Sequence, residues 1–241
     1  IVSYPLSIVY CFLFLLWLVI FHPIQWICYT FFGYNAHRIS VAYLNWFLVR
    51  TSHILGTTYH LQGLENIPEN KPLIVVANHQ SLNDITTIIW FLRKIHPKFI
   101  SKIELGKGIP SVSYNLRKGG SALIDRKDPK QALPEIKKVA ELINANTYSA
   151  VIFPEGTRSK TGAPKPFATS GLKMLYKFAP DAYFLPLTIN NSWKITKFGA
   201  FPLGLGNSLH FQIHPAMKIS EFSFEEIFEK TEKIITNSLK Y

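Results

Sequence analysis

The fold of this chain is decided by the stretch Leu73-Ile74-Val75-Val76-Ala77-Asn78-His79-Gln80-Ser81-Leu82-Asn83-Asp84. Five consecutive apolar residues predict a buried strand, the polar residues after them predict a turn, and the apolar periodicity of residues 85–94 predicts a helix. Turns at the carboxyl ends of strands are where α/β proteins usually place their functional side chains. The stretch therefore predicts an α/β fold with a candidate site in this turn.

His79 and Asp84 are the residues of this turn that could carry chemistry. They lie five positions apart, which is too far around a regular helix for their side chains to touch. If Ser81 is the N-cap, however, Asp84 occupies the third helical position, and His79 can fold back onto its carboxylate. A carboxylate that orients an imidazole makes it a general base. The alternative is a capped helix with an incidental surface histidine.

The rest of the chain after residue 56 alternates short apolar runs with helical patterns. This alternation predicts a single mixed, largely parallel sheet flanked by helices. The expected strands are residues 58–61, 73–77, 99–102, 122–124, 150–153, 183–189 and 210–214. The expected helices are residues 85–94, 111–118, 128–142, 170–178 and 224–239.

Charge is distributed unevenly along the 241 residues. No Asp, Glu, Lys or Arg precedes Arg38, so the formal net charge of +11 belongs to the remainder of the chain. A basic surface beside an apolar segment indicates a membrane with anionic headgroups and phosphorylated substrates as partners. Nucleic acid is not expected as a partner, because no basic-aromatic repeat or zinc pattern accompanies the charge.

The apolar N-terminal segment predicts a two-helix membrane anchor over residues 1–56, followed by an α/β domain over residues 57–241. Pro23 predicts a break near His22-Pro23. Two arrangements fit: a spanning helix followed by an interfacial helix, or a helical pair dipped into one leaflet. The second is preferred, because the first helix is barely long enough to span. A cleaved signal peptide competes, but its basic n-region and small-residue cleavage site are missing.

Polar residues gather at three expected strand ends: Asn78-His79 through Asp84, Asp125-Arg126, and Glu155-Gly156-Thr157-Arg158. If these ends share one sheet edge, they form a pocket with a base, a carboxylate and two guanidinium groups. A guanidinium fork matches a phosphate, and Lys102 could add a third positive charge. The alternative is that Arg126 and Arg158 are ordinary surface residues, one of them paired with Glu155.

These stretches resemble a known family. Residues 78–84 match the His-x4-Asp signature of the glycerolipid acyltransferases, and Phe153-Pro154-Glu155-Gly156-Thr157-Arg158-Ser159 matches their second strong block. Residues 101–105, 119–126 and 185–190 are similar to the remaining blocks, in the same order. The resemblance covers roughly Thr58 to His214.

The resemblance implies a membrane-bound enzyme of phospholipid biosynthesis at the cytoplasmic face of the cell membrane. Its expected reaction is acyl transfer from acyl-CoA or acyl carrier protein to the sn-2 hydroxyl of lysophosphatidic acid, without a metal or cofactor. Another acceptor (glycerol 3-phosphate, another lysophospholipid or an amino-acid lipid), a hydrolase and a non-catalytic lipid-binding module remain alternatives. The implied roles are catalytic for His79 and Asp84, substrate-binding for Lys102, Arg126, Glu155, Gly156, Thr157 and Arg158, and supporting for Asn78 and Ser81.

Overall fold

A computed structural model describes residues 2–240 of the chain. Within these residues eight strands form one sheet. They are β1 (Thr58–Gln62), β2 (Leu73–Ala77), β3 (Pro97–Lys102), β4 (Ala122–Ile124), β5 (Ser149–Ile152), β6 (Tyr183–Asn190), β7 (Ser208–Ile213) and β8 (Met217–Lys218). The order is β1-β7-β6-β2-β5-β3-β4, with β8 also paired to β6.

The sheet is mixed and largely parallel, as the sequence predicts. Strands β6, β2, β5, β3 and β4 run parallel to one another. Strands β7 and β8 pair with β6 in the antiparallel direction, and β1 is parallel to β7. The carboxyl ends of β2, β5, β3 and β4 therefore lie side by side. This row of strand ends, which runs across the strands and is not an outer strand, is the sheet edge that carries the candidate site.

Helices cover both faces of this sheet. They are α1 (Ser3–Ser52), α2 (Asn83–Phe91), α3 (Val112–Lys118), α4 (Pro129–Asn146), α5 (Thr169–Phe178) and α6 (Phe224–Asn237). Alternate residues of β2 enter two separate cores: Ile74 and Val76 pack with α4, α5 and α6, whereas Leu73, Val75 and Ala77 pack with residues of α1 and α2. A strand covered on both faces reads as a continuous apolar run, which explains the sequence pattern of residues 73–77.

Helix α1 bends at Gly33, where φ is 76° and ψ is −170°. The expected break at His22-Pro23 is wrong, because the helix continues through Pro23. A proline has a helical φ, so a helix can retain it at the cost of a lost hydrogen bond and local strain. The backbone angles of Gly33, by contrast, are open almost only to glycine.

The bend divides α1 into a leading arm, residues 3–32, and a returning arm, residues 34–52. The arms pack antiparallel, since Trp17 stacks on Phe47 with ring centroids 4.2 Å apart and Tyr29 meets His37 at 5.6 Å. The Trp17 indole N–H also donates to the Thr51 hydroxyl at 3.1 Å. The predicted two-helix form of the N-terminal segment is therefore present as a helical pair.

One side of the leading arm packs on the α/β domain and the other is exposed. Tyr10 donates to the Asn83 side chain at 3.3 Å, and Ser111 donates to the Leu18 carbonyl at 2.6 Å. The outward side carries exposed apolar side chains, spaced mostly three or four residues apart: Ile8, Phe12, Leu15, Val19, Ile27 and Phe31. By length and composition the helical region Ser3–Leu55 could cross a membrane. These features indicate membrane association.

Candidate active site

The imidazole of His79 and the carboxylate of Asp84 are in contact. His79 Nδ1 lies 2.8 Å from Asp84 Oδ2, and the Asp84 side chain is fully buried. The turn after β2 makes this contact possible, because the chain folds back before α2 begins at Asn83. The geometry is that of an imidazole whose orientation and tautomer are held by a carboxylate.

The helix start differs by one residue from the expectation. Leu82, not Ser81, is the N-cap, so Asp84 is the second helical residue instead of the third. Ser81 Oγ accepts a hydrogen bond from the backbone N–H of Asn83 at 3.0 Å, two residues on. Serine makes this short-range turn as an alternative to a regular cap, which explains the shift.

Donors from four residues surround the buried Asp84 carboxylate. Its Oδ2 accepts from His79 and from the backbone N–H groups of Gln80 at 2.7 Å and Ser81 at 2.9 Å. Its Oδ1 accepts from the Ser192 hydroxyl at 2.5 Å. Sequence reasoning missed Ser192, although its position just beyond β6, at the same sheet edge, is a usable signal. Together these bonds satisfy a charge that is costly to bury alone.

The loop after β5 holds His79 from the other side. The imidazole stacks on Phe153 with centroids 4.1 Å apart, and the His79 backbone N–H donates to Glu155 Oε1 at 3.1 Å. The Ser159 N–H donates to the His79 carbonyl at 2.7 Å. His79 Nε2 has no hydrogen-bond partner among the described residues and is not sealed from solvent. This nitrogen is therefore open to a substrate.

Glu155 supports this loop from a half-buried position. Burial raises its pKa to about 7, against the lowering effects of the His79 N–H and of Lys165. Its second oxygen has no partner, and within residues 2–240 it forms no ion pair. The expected alternative, in which Glu155 pairs with Arg126 or Arg158, is therefore not what the structure shows.

The supporting positions Asn78 and Ser81 link β2 to β6. The Asn78 amide donates to the Ile189 carbonyl at 2.8 Å and accepts from the Ile189 N–H at 2.7 Å. The hydroxyls of Ser81 and Ser192 are 2.5 Å apart. Both contacts tie the turn that carries His79 to the neighbouring strand.

Three basic side chains lie at the same sheet edge as the dyad. Lys102 ends β3, Arg126 follows β4, and Arg158 follows β5; all three are exposed and form no ion pair within the described residues. The Arg126 guanidinium is near Gly156, with Nη1 only 3.8 Å from where a Cβ there would lie. Within the described residues, neither Lys102 nor Arg158 forms a hydrogen bond or an ion pair with His79 or Asp84. The edge therefore offers three free cations.

Lys165 is a fourth cation at this edge that sequence reasoning missed. Its Nζ donates to the Thr157 hydroxyl at 2.7 Å and to the Arg158 carbonyl at 2.9 Å. Its place in the basic loop directly after the Glu155-Arg158 segment was the available signal. No group of three or more His, Cys, Asp or Glu residues in the described part of the chain is arranged to hold a metal ion.

Two similar proteins carry the same enzyme name. The chain is 33% identical over 141 residues to a chloroplastic 1-acyl-sn-glycerol-3-phosphate acyltransferase, BAT2, of Brassica napus, covering 58% of this chain and 39% of that protein. It is 32% identical over 167 residues to a 1-acyl-sn-glycerol-3-phosphate acyltransferase of Pseudomonas aeruginosa, covering 69% and 62%. In both cases the aligned part spans less than two thirds of the relative's length.

A solved structure has the same overall fold. The crystal structure of the 1-acyl-sn-glycerophosphate (LPA) acyltransferase PlsC from Thermotoga maritima matches with a TM-score of 0.77 and 25% identity, covering 96% of this chain and 92% of that one. The family model for Acyltransferase matches residues 58–190, which is more than half of the chain and includes the dyad and the Glu155-Arg158 segment. The chain therefore belongs to the Acyltransferase family.

Proposed function

We propose that this protein transfers an acyl group from a thioester to the sn-2 hydroxyl of lysophosphatidic acid, giving phosphatidic acid. The observation that carries the proposal is the 2.8 Å contact between His79 Nδ1 and Asp84 Oδ2, which leaves His79 Nε2 open at the sheet edge. The names of the relatives, which refer to 1-acyl-sn-glycerol-3-phosphate, support this choice of acceptor.

His79 is the general base of the proposed reaction. Its Nε2 takes the proton of the acceptor hydroxyl as that oxygen attacks the thioester carbonyl, and Asp84 stabilises the resulting imidazolium. The tetrahedral intermediate then collapses, the carbon–sulfur bond breaks, and the thiolate leaves with a proton from His79. General-base catalysis contributes about 10²–10⁴-fold, so positioning of the acceptor must supply much of the remaining rate enhancement.

Arg126, Arg158 and Lys102 are the proposed binding residues for the acceptor phosphate. They are exposed and unpaired among the described residues, so a phosphate need not break an existing ion pair. An arginine can bind two phosphate oxygens at once, which fixes the direction of the lipid. Lys165 holds the backbone of Arg158, which would position that guanidinium.

The exposed side of α1 is the proposed membrane contact. Both arms pack against the domain or each other on one side and present apolar side chains on the other, which favours a pair lying in one leaflet over a spanning helix. We place this leaflet at the cytoplasmic face, where acyl thioesters are the donors. The division into residues 1–56 and 57–241 stays a prediction.

An acceptor screen tests the proposed reaction. Purified protein in neutral detergent micelles is given a labelled acyl thioester, as acyl-CoA or acyl carrier protein, with lysophosphatidic acid, glycerol 3-phosphate, another lysophospholipid or no acceptor. Labelled phosphatidic acid is expected only with lysophosphatidic acid. Product with another acceptor alone, or free fatty acid without any acceptor, would refute the assignment.

Two histidine variants complete this test. His79→Ala is expected to abolish transfer while the protein still binds vesicles. His60→Ala is the matched control, because His60 is an exposed histidine on the edge strand β1, stacked only on His210 at 4.7 Å. Equal rates for the two variants would remove His79 from the mechanism.

A further inference from the structure

A second basic site lies at the opposite edge of the sheet from the dyad. It is a narrow crevice, open to solvent at its mouth, between the returning arm and the start of β3. Lys98, which lines it, is four residues before Lys102 on β3, so the two sites are about 13 Å apart along the strand. This crevice is not part of the proposed acyl-transfer site.

The crevice has positive groups on its walls and no acid. Arg38, Arg93 and Lys98 line it with His37 and His96, and no Asp or Glu is among its lining residues. None of the three cations forms an ion pair within residues 2–240. Three like charges around one small space repel one another unless an anion joins them.

Three polar atoms in the crevice are buried without a hydrogen-bond partner among the described residues. His37 is 1% exposed, and its Nε2 makes no hydrogen bond within residues 2–240. The atoms Arg38 Nε and His96 Nδ1 are also buried without a partner there, although the two residues are partly exposed. Buried polar atoms normally find partners, because leaving one unsatisfied costs free energy. Arg38 Nε can only donate, and each of the two imidazole nitrogens donates in the tautomer that protonates it, so an acceptor placed in the crevice would satisfy these atoms.

Lys98 is a buried cation without a negatively charged partner among the described residues. Its side chain is 4% exposed, its Nζ donates to the Tyr34 hydroxyl, and it lies over the rings of Tyr34 at 4.5 Å and Tyr148 at 5.0 Å. Burial, with Arg38 nearby, lowers the pKa of Lys98 to about 8. Burial, with Arg38 and Lys98 nearby, likewise lowers the pKa of His96 to about 4. A bound anion would reverse the repulsive part of both shifts.

We propose that this crevice binds the phosphate group of an anionic phospholipid headgroup. A phosphate diester supplies a negative charge to pair with the guanidinium and ammonium groups, and oxygens that accept their hydrogen bonds. The position favours a lipid as the source of the phosphate. Phe31 and Phe32, just before the bend at Gly33, are 67% and 71% exposed, and Tyr34 and Arg38 follow within two turns. Apolar side chains that insert into a bilayer here would bring the crevice to the depth of the headgroups.

Thermal unfolding in neutral detergent tests the site. Short-chain phosphatidylglycerol, which is not a lysolipid acceptor, is compared with inorganic phosphate and with short-chain phosphatidylcholine. A ligand that binds only the folded protein, at about ten times its Kd, raises the Tm of a chain this size by roughly 3–5 °C. Phosphatidylglycerol is expected to do so and phosphatidylcholine is not. A matching shift with inorganic phosphate that is lost in Arg38→Gln supports the phosphate site and assigns it to a soluble ion.

Three glutamine variants locate the effect. Arg38→Gln is expected to lose the ligand-induced shift yet unfold at the same or a higher Tm without ligand, because one repelling charge is gone. Arg50→Gln, on the exposed side of the same arm, controls for general charge and should keep the shift. Arg158→Gln, at the dyad's edge, should also keep it, so this test is independent of acyl transfer.

Two outcomes overturn the proposal. One is the absence of a shift with both phosphatidylglycerol and phosphate in the wild-type protein. The other is a shift that survives Arg38→Gln, or that disappears with Arg158→Gln, since the ligand would then bind elsewhere. Should Arg38→Gln fail to fold, Arg93→Gln replaces it, because the Arg93 guanidinium lines the same crevice and also stacks over Trp90 at 4.1 Å.

Discussion

Replacing Asp84 with asparagine tests the dyad most directly, because the surroundings of this residue determine how the amide must lie. The backbone N–H groups of Gln80 and Ser81 both donate to Oδ2, so the amide oxygen has to take that position. The amide NH₂ then faces the Ser192 hydroxyl, which can accept a hydrogen bond. His79 keeps a hydrogen bond from Nδ1, and the fold and the imidazole orientation should survive. What is lost is the negative charge.

The size of the loss follows from the geometry. With Nδ1 and Oδ2 at 2.8 Å, the centres of charge of an imidazolium and this carboxylate would be about 4 Å apart, which is worth roughly 4 kcal/mol at an effective dielectric constant of ~20. The hydrogen bond that His79 keeps to the neutral amide offsets part of this free energy. We therefore expect kcat to fall by about 10²–10³-fold, corresponding to ~3–4 kcal/mol, with little change in the KM for lysophosphatidic acid.

The assay is the initial rate of thiol release from acyl-CoA with lysophosphatidic acid as acceptor, together with the Tm of each variant. Ser192→Ala is the matched control: it removes one hydrogen bond to the carboxylate but keeps the charge, so its loss should be about tenfold or less. A rate for Asp84→Asn within about fivefold of wild type, with an unchanged Tm, would refute the assigned role of the charge.

Three further predictions follow from the backbone and the site. The pKa of Glu155 is near 4.5 in the unfolded chain and about 7 in the fold, so its contribution to stability is present below pH 4.5 and is lost as the pH rises through 7. Glu155→Gln should therefore raise the Tm at pH 8 but not at pH 4, and an equal change at both pH values would contradict this. Gly33→Ala should destabilise the protein by about 1–3 kcal/mol, because alanine is strained in this backbone conformation even though the added Cβ meets no atom within 4 Å. Pro23→Ala should not lower the Tm, and a larger fall in Tm for Pro23→Ala than for Gly33→Ala would place the break at Pro23 instead. Arg158→Ala should raise the KM for lysophosphatidic acid about tenfold or more and leave the KM for acyl-CoA unchanged, and steady-state kinetics showing an unchanged acceptor KM would remove this residue from the proposed phosphate site.

Local patterns in the sequence were enough to predict seven of the eight strands in the described residues, most helices and the His79-Asp84 contact, whereas the two-residue strand β8 was missed. The strand–turn–helix of residues 73–91 is encoded by neighbouring residues, and the contact within it spans only five positions. The apolar composition before Arg38 likewise predicts a membrane-associated segment without any knowledge of packing. Short-range geometry and composition are properties of the chain itself, so they can be read before it folds.

The tertiary structure decided what depends on residues far apart in the chain. Ser192 reaches the Asp84 carboxylate across 108 positions, and Lys98 reaches Tyr34 across 64. The raised pKa of Glu155 likewise depends on its burial in the folded protein. Packing and desolvation arise only when distant segments meet, and no local pattern in the sequence specifies which segments those are.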